Sequence, residues 1–319
     1  MVLKYKQKHH KHHTLAPEEM ISVDMVTAIA IVTQIGIGMV GNSSFLFPYI
    51  YSLSRKHGLR PIAHIISHLA LANTLWILCG EIPQTMAAFG LQYFLDDVGC
   101  KLVFYFHRVA WGNSLSTTCL LGGIQALSVN LTNMRWSELK SKSIKHINST
   151  CILSWVFHLL VNIVVPMRVT GQKSSRNNTV NSNLKYCSRL FFDTTTESVC
   201  LFIFSSIDII CLGFMTWAGG TMILFLHRHK QQVQYIRSTR QSPQTSPESR
   251  ATKSILLLVS TFVLFYSLSS IFEAYIFLFD NPQSWLVNTS VILTSCFPTF
   301  SPFLLFKSNI SIFHFCSSC

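Results

Sequence analysis

The segment MVTAIAIVTQIGIGMVGNSSFLFPYIYSLS, residues 25–54, decides the fold. It contains 30 consecutive residues without an acidic or basic side chain. A helix needs roughly 20 mainly apolar residues to cross the hydrocarbon core of a bilayer, which is about 30 Å thick. The segment is long enough, and it carries no charge that would have to be kept in water. We therefore expect a membrane-spanning helix here.

Six further stretches have the same apolar character. The seven predicted spans cover residues 24–53, 61–89, 99–132, 146–167, 197–226, 253–279 and 284–306. Only 12% of the 319 residues are charged, whereas a typical soluble domain has about 25%. Helices in the core of a large soluble protein seldom lack charge over such lengths. The sequence predicts an all-α membrane protein, a seven-transmembrane helix bundle over 24–306, with a disordered tail at 1–23 and a short tail at 307–319.

The distribution of basic residues predicts the orientation of the bundle. If the first loop, with Arg55, Lys56 and Arg60, is cytoplasmic, fourteen Lys and Arg residues fall on that side and six in the outer loops. The positive-inside rule then places the N-terminus outside and the C-terminus inside, although four lysines in the N-terminal tail weaken this bias. The net charge of +12 does not indicate a nucleic-acid partner, since the basic residues lie between apolar spans rather than on one folded surface. Membrane lipids are the expected partner.

Two of the ten cysteines fall in segments that this topology places outside. They are Cys100, at the start of the third span, and Cys187, in the long loop after the fourth. Extracellular surfaces are oxidising, so two exposed thiols there are expected to pair. The alternative is two free thiols. The same loop contains the Asn-x-Thr triplet at Asn177, which we predict to be glycosylated because the other triplets lie in spans, beside them, or on the inner side.

Ionisable side chains interrupt several spans. Glu81, Arg108 with its neighbour His107, Asp208 and Glu273 lie in the second, third, fifth and sixth spans. A charge in hydrocarbon costs several kcal/mol, so such residues usually face the bundle interior and pair with one another. All of them are predicted in the outer half of the bundle, where they would form a ligand-binding cup. The alternative is a structural salt-bridge cluster, for example between Arg108 and one carboxylate.

Several kinds of chemistry are missing from the chain. It has no phosphate-binding loop, no zinc-ligand spacing and no dinucleotide fingerprint. The last span has no lysine for a retinal Schiff base. A histidine cluster in the N-terminal tail is more simply explained as a disordered tail than as a metal site. The sequence predicts no enzyme activity, no cofactor and no metal.

Short motifs along the chain resemble the type-1 vomeronasal receptors, the pheromone-receptor branch of the G-protein-coupled receptors. The resemblance runs from the first predicted span to the seventh. The motifs include IPQTM at 82–86, GCKLVFY at 99–105, HRV at 107–109, STTCLL at 116–121, YCS at 186–188, SPESRAT at 246–252 and FPT at 297–299.

The resemblance implies a chemosensory receptor in the plasma membrane. It would bind a small volatile or steroid-like ligand and signal through an inhibitory-class heterotrimeric G protein. The resemblance also assigns a disulfide to Cys100 and Cys187 and a glycan to Asn177. The hypothesis that follows is a ligand bound at Glu81, His107, Arg108, Asp208 and Glu273. The G protein would contact basic residues at the inner face, namely Arg135, Lys140, Arg228, Lys230, Arg237 and Arg240.

Three positions near the predicted cytoplasmic face depart from the family pattern. Leu131 and Ile144 stand where the family usually has proline, and His64 stands where it usually has an acidic residue. These departures keep a decayed, non-signalling receptor open as an alternative. A bitter-taste-type receptor and an ion channel or transporter are the others. A transporter would usually show internal repeats with matched broken helices, and the seven unequal spans show none.

Overall fold

The computed structural model describes residues 17–55, 61–91, 94–129, 134–171, 180–183, 186–190, 194–237, 247–278 and 284–307. This part of the chain is mostly helical. Its α-helices are α1 Pro17–Ser54, α2 Pro61–Trp76, α3 Ile82–Ala88, α4 Asp97–Val129, α5 Met134–Val161, α6 Thr194–Arg237, α7 Pro247–Leu278 and α8 Ser284–Lys307. Helix α1 includes residues 17–23, which the sequence assigned to the tail. Helices α5, α6 and α7 also begin before their predicted spans.

Two helices change their winding where a proline interferes with regular hydrogen bonding. Helices α2 and α3 are joined without a break by a π-helical turn, Ile77–Glu81, just before Pro83. In a regular α-helix, a proline ring collides with the carbonyl four residues earlier. For Pro83 this is the carbonyl of residue 79, which lies inside the wider π-helical turn. Helix α5 continues into a 3₁₀ segment, Asn162–Arg168, which contains Pro166. If α2, the π-helical turn and α3 are counted as one continuous helix, and α5 with its 3₁₀ segment as another, the described part of the chain contains seven continuous helices.

Five of these seven continuous helices contain segments that are long and apolar enough to cross a membrane. The segments are Ala28–Ser54, Ile62–Ala87, His146–Arg168, Phe202–Arg228 and Thr252–Phe272. Helix α8 contains a shorter apolar stretch, Ile292–Phe306, and α4 is not among the candidates found in the described residues. The predicted helical architecture is therefore confirmed, five of the helices are suited to a membrane by length and composition, and the seven crossings and their orientation remain predictions.

Helix α4 lies at the centre of the bundle, which accounts for its lower hydropathy. It packs against α2, α5, α6 and α7, while α1 packs against both α2 and α8 and so closes the ring. Large apolar side chains point outward on the peripheral helices; Phe202 and Ile210 of α6 are 75% and 71% exposed. In contrast, α4 buries Asn113, Ser114 and Thr118. A helix surrounded by protein can carry polar groups that lipid would not tolerate.

A buried hydrogen-bond network joins four of the helices. Asn73 of α2 donates to Ser301 Oγ of α8 at 2.8 Å and accepts from Ser114 Oγ of α4 at 2.8 Å. Its amide also lies 3.4 Å from Asn42 Oδ1 of α1, and Asn42 in turn donates to the carbonyl of Pro298 at 2.9 Å. In a medium without water, these side chains satisfy one another and fix how the helices pack.

A small antiparallel sheet, which the sequence did not predict, lies at one end of the bundle. It consists of β1 Val169–Gly171, β2 Val180–Asn183 and β3 Cys187–Leu190, in the order β1-β3-β2. Cys187 of β3 forms a disulfide with Cys100 in the first turn of α4, so the predicted pairing is confirmed. We call this the disulfide end of the bundle.

The first prediction concerns the central hydrogen-bond network. Replacing Asn73 with leucine should lower the free energy of unfolding by roughly 1–2 kcal/mol, because Ser114 and Ser301 lose their shared partner inside the bundle. The measurement is thermal unfolding of the purified protein in detergent. The control is Thr33→Val, since the exposed Thr33 hydroxyl, among the described residues, bonds only to the carbonyl of Ile29 in its own helix. Equal stability of the two variants would contradict the prediction.

Candidate functional site

The charged pair Arg108–Asp208 joins α4 to α6 inside the bundle. Arg108 Nη2 lies 3.5 Å from Asp208 Oδ2, and the same carboxylate oxygen accepts a 2.6 Å hydrogen bond from the Tyr266 hydroxyl of α7. The Arg108 guanidinium also stacks on the Phe204 ring, with its carbon 4.9 Å from the ring centroid. Three helices thus meet at one carboxylate, which we call the Asp208 cluster.

Aromatic side chains extend from the Asp208 cluster toward α2. The ring centroids of Tyr266 and Trp111 are 5.4 Å apart, and those of Trp111 and Trp76 are 4.6 Å apart. Trp76 meets the His107 ring edge-on at 6.2 Å. His107 fits there because position 80 is glycine: a Cβ atom at Gly80 would lie 2.5 Å from His107 Cδ2. Of these rings, those of Trp111 and Tyr266 border the charged pair.

Glu81 lies apart from the Asp208 cluster, toward α8. It is buried in the π-helical turn beside Ser295 of α8, and among the described residues neither oxygen of its carboxyl group has a partner at hydrogen-bond geometry. Cys296 of the same helix also lies near Glu81. The structure therefore brings Arg108 and Asp208 together and places Glu81 against a different helix.

His158 of α5 borders the Asp208 cluster from the other side. Its Nε2 shares a 2.8 Å hydrogen bond with Ser116 Oγ of α4. A Cβ atom at Gly112 would collide with the imidazole ring, so a glycine in α4 makes room for this histidine. A cavity of about 10 Å³ lies between Arg108, Asp208 and His158, which is room for about one water molecule.

The disulfide end is held together by packing and by Asp97, the first residue of α4. Its carboxylate bonds Lys101 Nζ at 2.6 Å, accepts from Thr170 Oγ1 at 2.6 Å and accepts from the Gly171 N–H at 3.2 Å. These donors, Lys101 foremost, hold the pKa of Asp97 below its usual value. The strand β1 is thereby fixed to the start of α4.

Tyr186 forms an aromatic layer over this end of the bundle. Its ring lies between those of Phe94 and Phe104, with both centroid distances 5.8 Å. Burial raises the pKa of the Tyr186 hydroxyl above its usual range. Together with the sheet, this layer covers the end of α4 that carries Cys100.

Comparison with known proteins decides the family. The model of the vomeronasal organ pheromone receptor family matches residues 25–318. The chain is 46% identical to human vomeronasal type-1 receptor 4 over 286 residues, which is 90% of this chain and 95% of that protein. This chain belongs to the vomeronasal type-1 receptor family. It is also 45% identical to gorilla vomeronasal type-1 receptor 1 over 96% of this chain and 87% of that receptor.

A more distant similarity is to a fish protein. The chain is 29% identical to the zebrafish olfactory receptor class A-like protein 1 over 89% of both chains. The members of the vomeronasal type-1 family are membrane receptors and not enzymes, so both the predicted membership and the predicted lack of enzyme activity are confirmed. The apolar helices and the disulfide fit such a receptor.

For several of the predicted site residues of this vomeronasal-type receptor, the position of the residue or of its side chain lies outside the described part of the structure. Asn177 and Arg240 lie outside the described residues. Arg135, Lys140, Lys230, Arg237 and Glu273 lie on described helices, but their side chains are outside the described part. Arg228, near the end of α6 away from the disulfide, is exposed. The glycan and the G-protein contacts remain predictions.

Sequence reasoning missed Trp111, Tyr266 and His158. Aromatic residues are common in membrane helices, so nothing in the sequence distinguished the first two from others. His158 could have been noticed in the sequence, because it is a titratable residue within the fourth predicted span and because α4 contains a glycine at position 112. Only the packing of α4 against α5 shows that the two positions meet.

The second prediction tests this glycine–histidine contact. Gly112→Ala should lower the free energy of unfolding by about 1–3 kcal/mol, because the added methyl group overpacks the His158 site. Gly36→Ala is the control, since a Cβ atom there meets nothing within 4 Å; it should be neutral or stabilising by up to about 1 kcal/mol. Thermal unfolding in detergent measures both.

A second substitution separates the collision from a general effect on α4. In the double variant Gly112→Ala, His158→Ala, the loss should be smaller than the sum of the two single losses, because the smaller side chain leaves room for the methyl group. Gly112→Ala behaving like Gly36→Ala would show that the contact does not form.

Proposed function

We propose that this chain is a chemosensory G-protein-coupled receptor that binds a small, neutral, volatile or steroid-like ligand at the Asp208 cluster. The supporting observation is the meeting of α4, α6 and α7 at one carboxylate. Arg108 lies eight residues after Cys100, about 12 Å along the helix axis, so the cluster is close to the disulfide end. Seven membrane crossings with that end outside the cell would make it accessible to an extracellular ligand.

The charge of the cluster favours a neutral ligand. Arg108 and Asp208 neutralise each other, and Tyr266 already donates to the carboxylate. A charged ligand would have to displace one of these partners and leave the other charge uncompensated in a largely buried site. The rings of Trp111 and Phe204 add apolar surface of the kind that an uncharged, hydrophobic molecule would contact.

Ligand binding at this cluster would change how the helices pack. The adjacent cavity of about 10 Å³ is far too small for an organic ligand, so α4, α6 and α7 must separate to admit one. A ligand that binds only the separated arrangement increases its population by its differential affinity. Arginine and lysine side chains near the opposite end, with Arg228 among them, would then become available to an inhibitory-class G protein.

A hydrogen bond at that opposite end opposes such a movement. Gln125 Nε2 of α4 donates to Thr252 Oγ1 of α7 at 2.7 Å, and Thr252 is buried. Separation of α7 from α4 would break this bond. It therefore stabilises the arrangement seen here, which we assign to the resting receptor.

The third prediction tests the function directly. Cells that display the full-length receptor should activate an inhibitory-class G protein when a panel of volatile and steroid-like compounds is applied. Arg108→Gln should weaken the response to an active compound at least about tenfold, because the ion pair in the cluster is lost and Asp208 keeps an uncompensated charge. Lys101→Gln is the control, since its exposed pair with Asp97 lies outside the cluster. A receptor at the cell surface that answers no compound, or ion currents without G-protein activation, would contradict the proposal.

The fourth prediction concerns the resting arrangement. Gln125→Leu should raise ligand-independent G-protein activation severalfold, because the loss of one hydrogen bond shifts a two-state equilibrium by about that factor. The control is Gln231→Leu, since Gln231 is exposed and its one described side-chain bond is to His227 in its own helix. Unchanged basal activity of Gln125→Leu, at equal surface level, would show that this bond does not restrain the receptor.

A further inference from the structure

A cleft on the side of the bundle, between α4 and α5, is far larger than the cavity at the Asp208 cluster. Its volume is about 310 Å³, which is at the lower limit of small-molecule sites in proteins. The residues that line it are Ser116, Thr117 and Leu120 of α4, and Thr150, Cys151, Leu153, Ser154 and Phe157 of α5. None of the predicted ligand-binding residues lines it.

The cleft opens toward the lipid rather than toward either end of the bundle. Leu153 and Phe157 border it and are 66% and 46% exposed, and Thr150 is exposed as well. All three lie within the candidate span His146–Arg168, which is mostly unburied in the bundle. A molecule in the cleft would therefore enter from the hydrocarbon region of the bilayer.

The lining is apolar with hydroxyl groups, and it contains no ionisable acid or base except the thiol of Cys151. Thr117 donates to the carbonyl of Asn113 at 2.6 Å, Thr150 to that of His146 at 3.0 Å, and Ser154 to Asn113 Oδ1 at 3.0 Å. Each hydroxyl proton is thus already used, while each oxygen keeps a lone pair that can accept. The cleft can accept a hydrogen bond from a bound molecule, and it offers no charge to neutralise.

From this chemistry we infer that the α4–α5 cleft binds a neutral, apolar molecule with a single hydroxyl group that is dissolved in the bilayer. The apolar part would contact Leu120, Leu153 and Phe157, and the hydroxyl would donate to Thr150 or Ser154. A charged molecule would find no counter-ion, and a pure hydrocarbon would leave the hydroxyl oxygens without a donor.

The cleft is physically connected to the Asp208 cluster through one hydrogen bond. Ser116 lines the cleft and bonds His158, and His158 lines the small cavity beside Arg108 and Asp208. A molecule in the cleft therefore rests against the wall of the proposed ligand site. Occupation of the cleft does not depend on the proposed function, and its test requires no signalling.

The test uses the full-length protein in phosphatidylcholine nanodiscs and two photoreactive probes. One probe is a long-chain primary alcohol that carries a diazirine, and the other is the diazirine alkane of the same length. After photolysis, mass spectrometry should find saturable labelling of the peptides around 116–120 and 150–157. An unlabelled alcohol should compete for it, and the alkane should bind about fivefold more weakly, the factor that one hydrogen bond contributes.

A pair of variants places the labelling in the cleft. Thr150→Phe puts a ring at the mouth and should abolish saturable labelling, whereas Ile152→Phe adds the same ring on an exposed position of α5 outside the cleft and should not. Labelling that fails to saturate, that spreads evenly over the lipid-facing helices, or that persists in Thr150→Phe would overturn the proposal. Equal affinity of the alkane would overturn the recognition of a hydroxyl. Loss of G-protein activation with labelling intact would bear only on the proposed function.

Discussion

The structure depends on one constraint, that the charged and hydrogen-bonding side chains along the middle of α4 find their partners on neighbouring helices. No water is present in the hydrocarbon to replace a missing hydrogen bond. Arg108 meets Asp208 of α6, Ser114 meets Asn73 of α2, and Gln125 meets Thr252 of α7. These contacts lie at three successive levels along α4. A central helix with polar groups on several faces therefore determines which helices surround it.

The contacts of α4 are distributed unevenly between its two ends. The disulfide at Cys100, the sheet and the Asp97 contacts fasten the start of α4 covalently and by several hydrogen bonds. Toward the other end, α4 and α7 share the single bond from Gln125, as far as side-chain bonds between these two helices are described. In the proposed mechanism, a change at the Asp208 cluster would thus move α6 and α7 against a helix that is fixed near the proposed ligand site.

The sequence allowed the helices and their long-range covalent bond to be predicted. Uncharged runs such as 25–54 need no knowledge of their neighbours, and topology alone left Cys100 and Cys187 as the two cysteines on the oxidising side. The sequence could not show that Asp208 rather than Glu81 lies beside Arg108, because that depends on how each helix is rotated. It also did not indicate the π-helical turn or the sheet, which arise from Pro83 and from pairing across the loop.

The candidate site was predicted in part, for a physical reason. A charge within an apolar span is conspicuous, so Arg108 and Asp208 could be found. Trp111, Tyr266 and His158 complete the site by contact, and nothing in the types of these residues marks them as functional. The α4–α5 cleft has even less trace in the sequence, since Thr150 and Ser154 are ordinary residues of a membrane helix. Cavities arise from how two helices fail to fill the space between them.

The most direct test of this account is a double-mutant cycle on Arg108 and Asp208. Unfolding free energies of Arg108→Met, Asp208→Asn and the double variant should give a coupling of about 1–2 kcal/mol, because the pair is largely withdrawn from solvent. The same cycle on Lys101 and Asp97, whose side chains are more than a third exposed, should give less than about 0.5 kcal/mol. A coupling for Arg108 and Asp208 no larger than that of the exposed pair would show that α4 and α6 do not meet at this site.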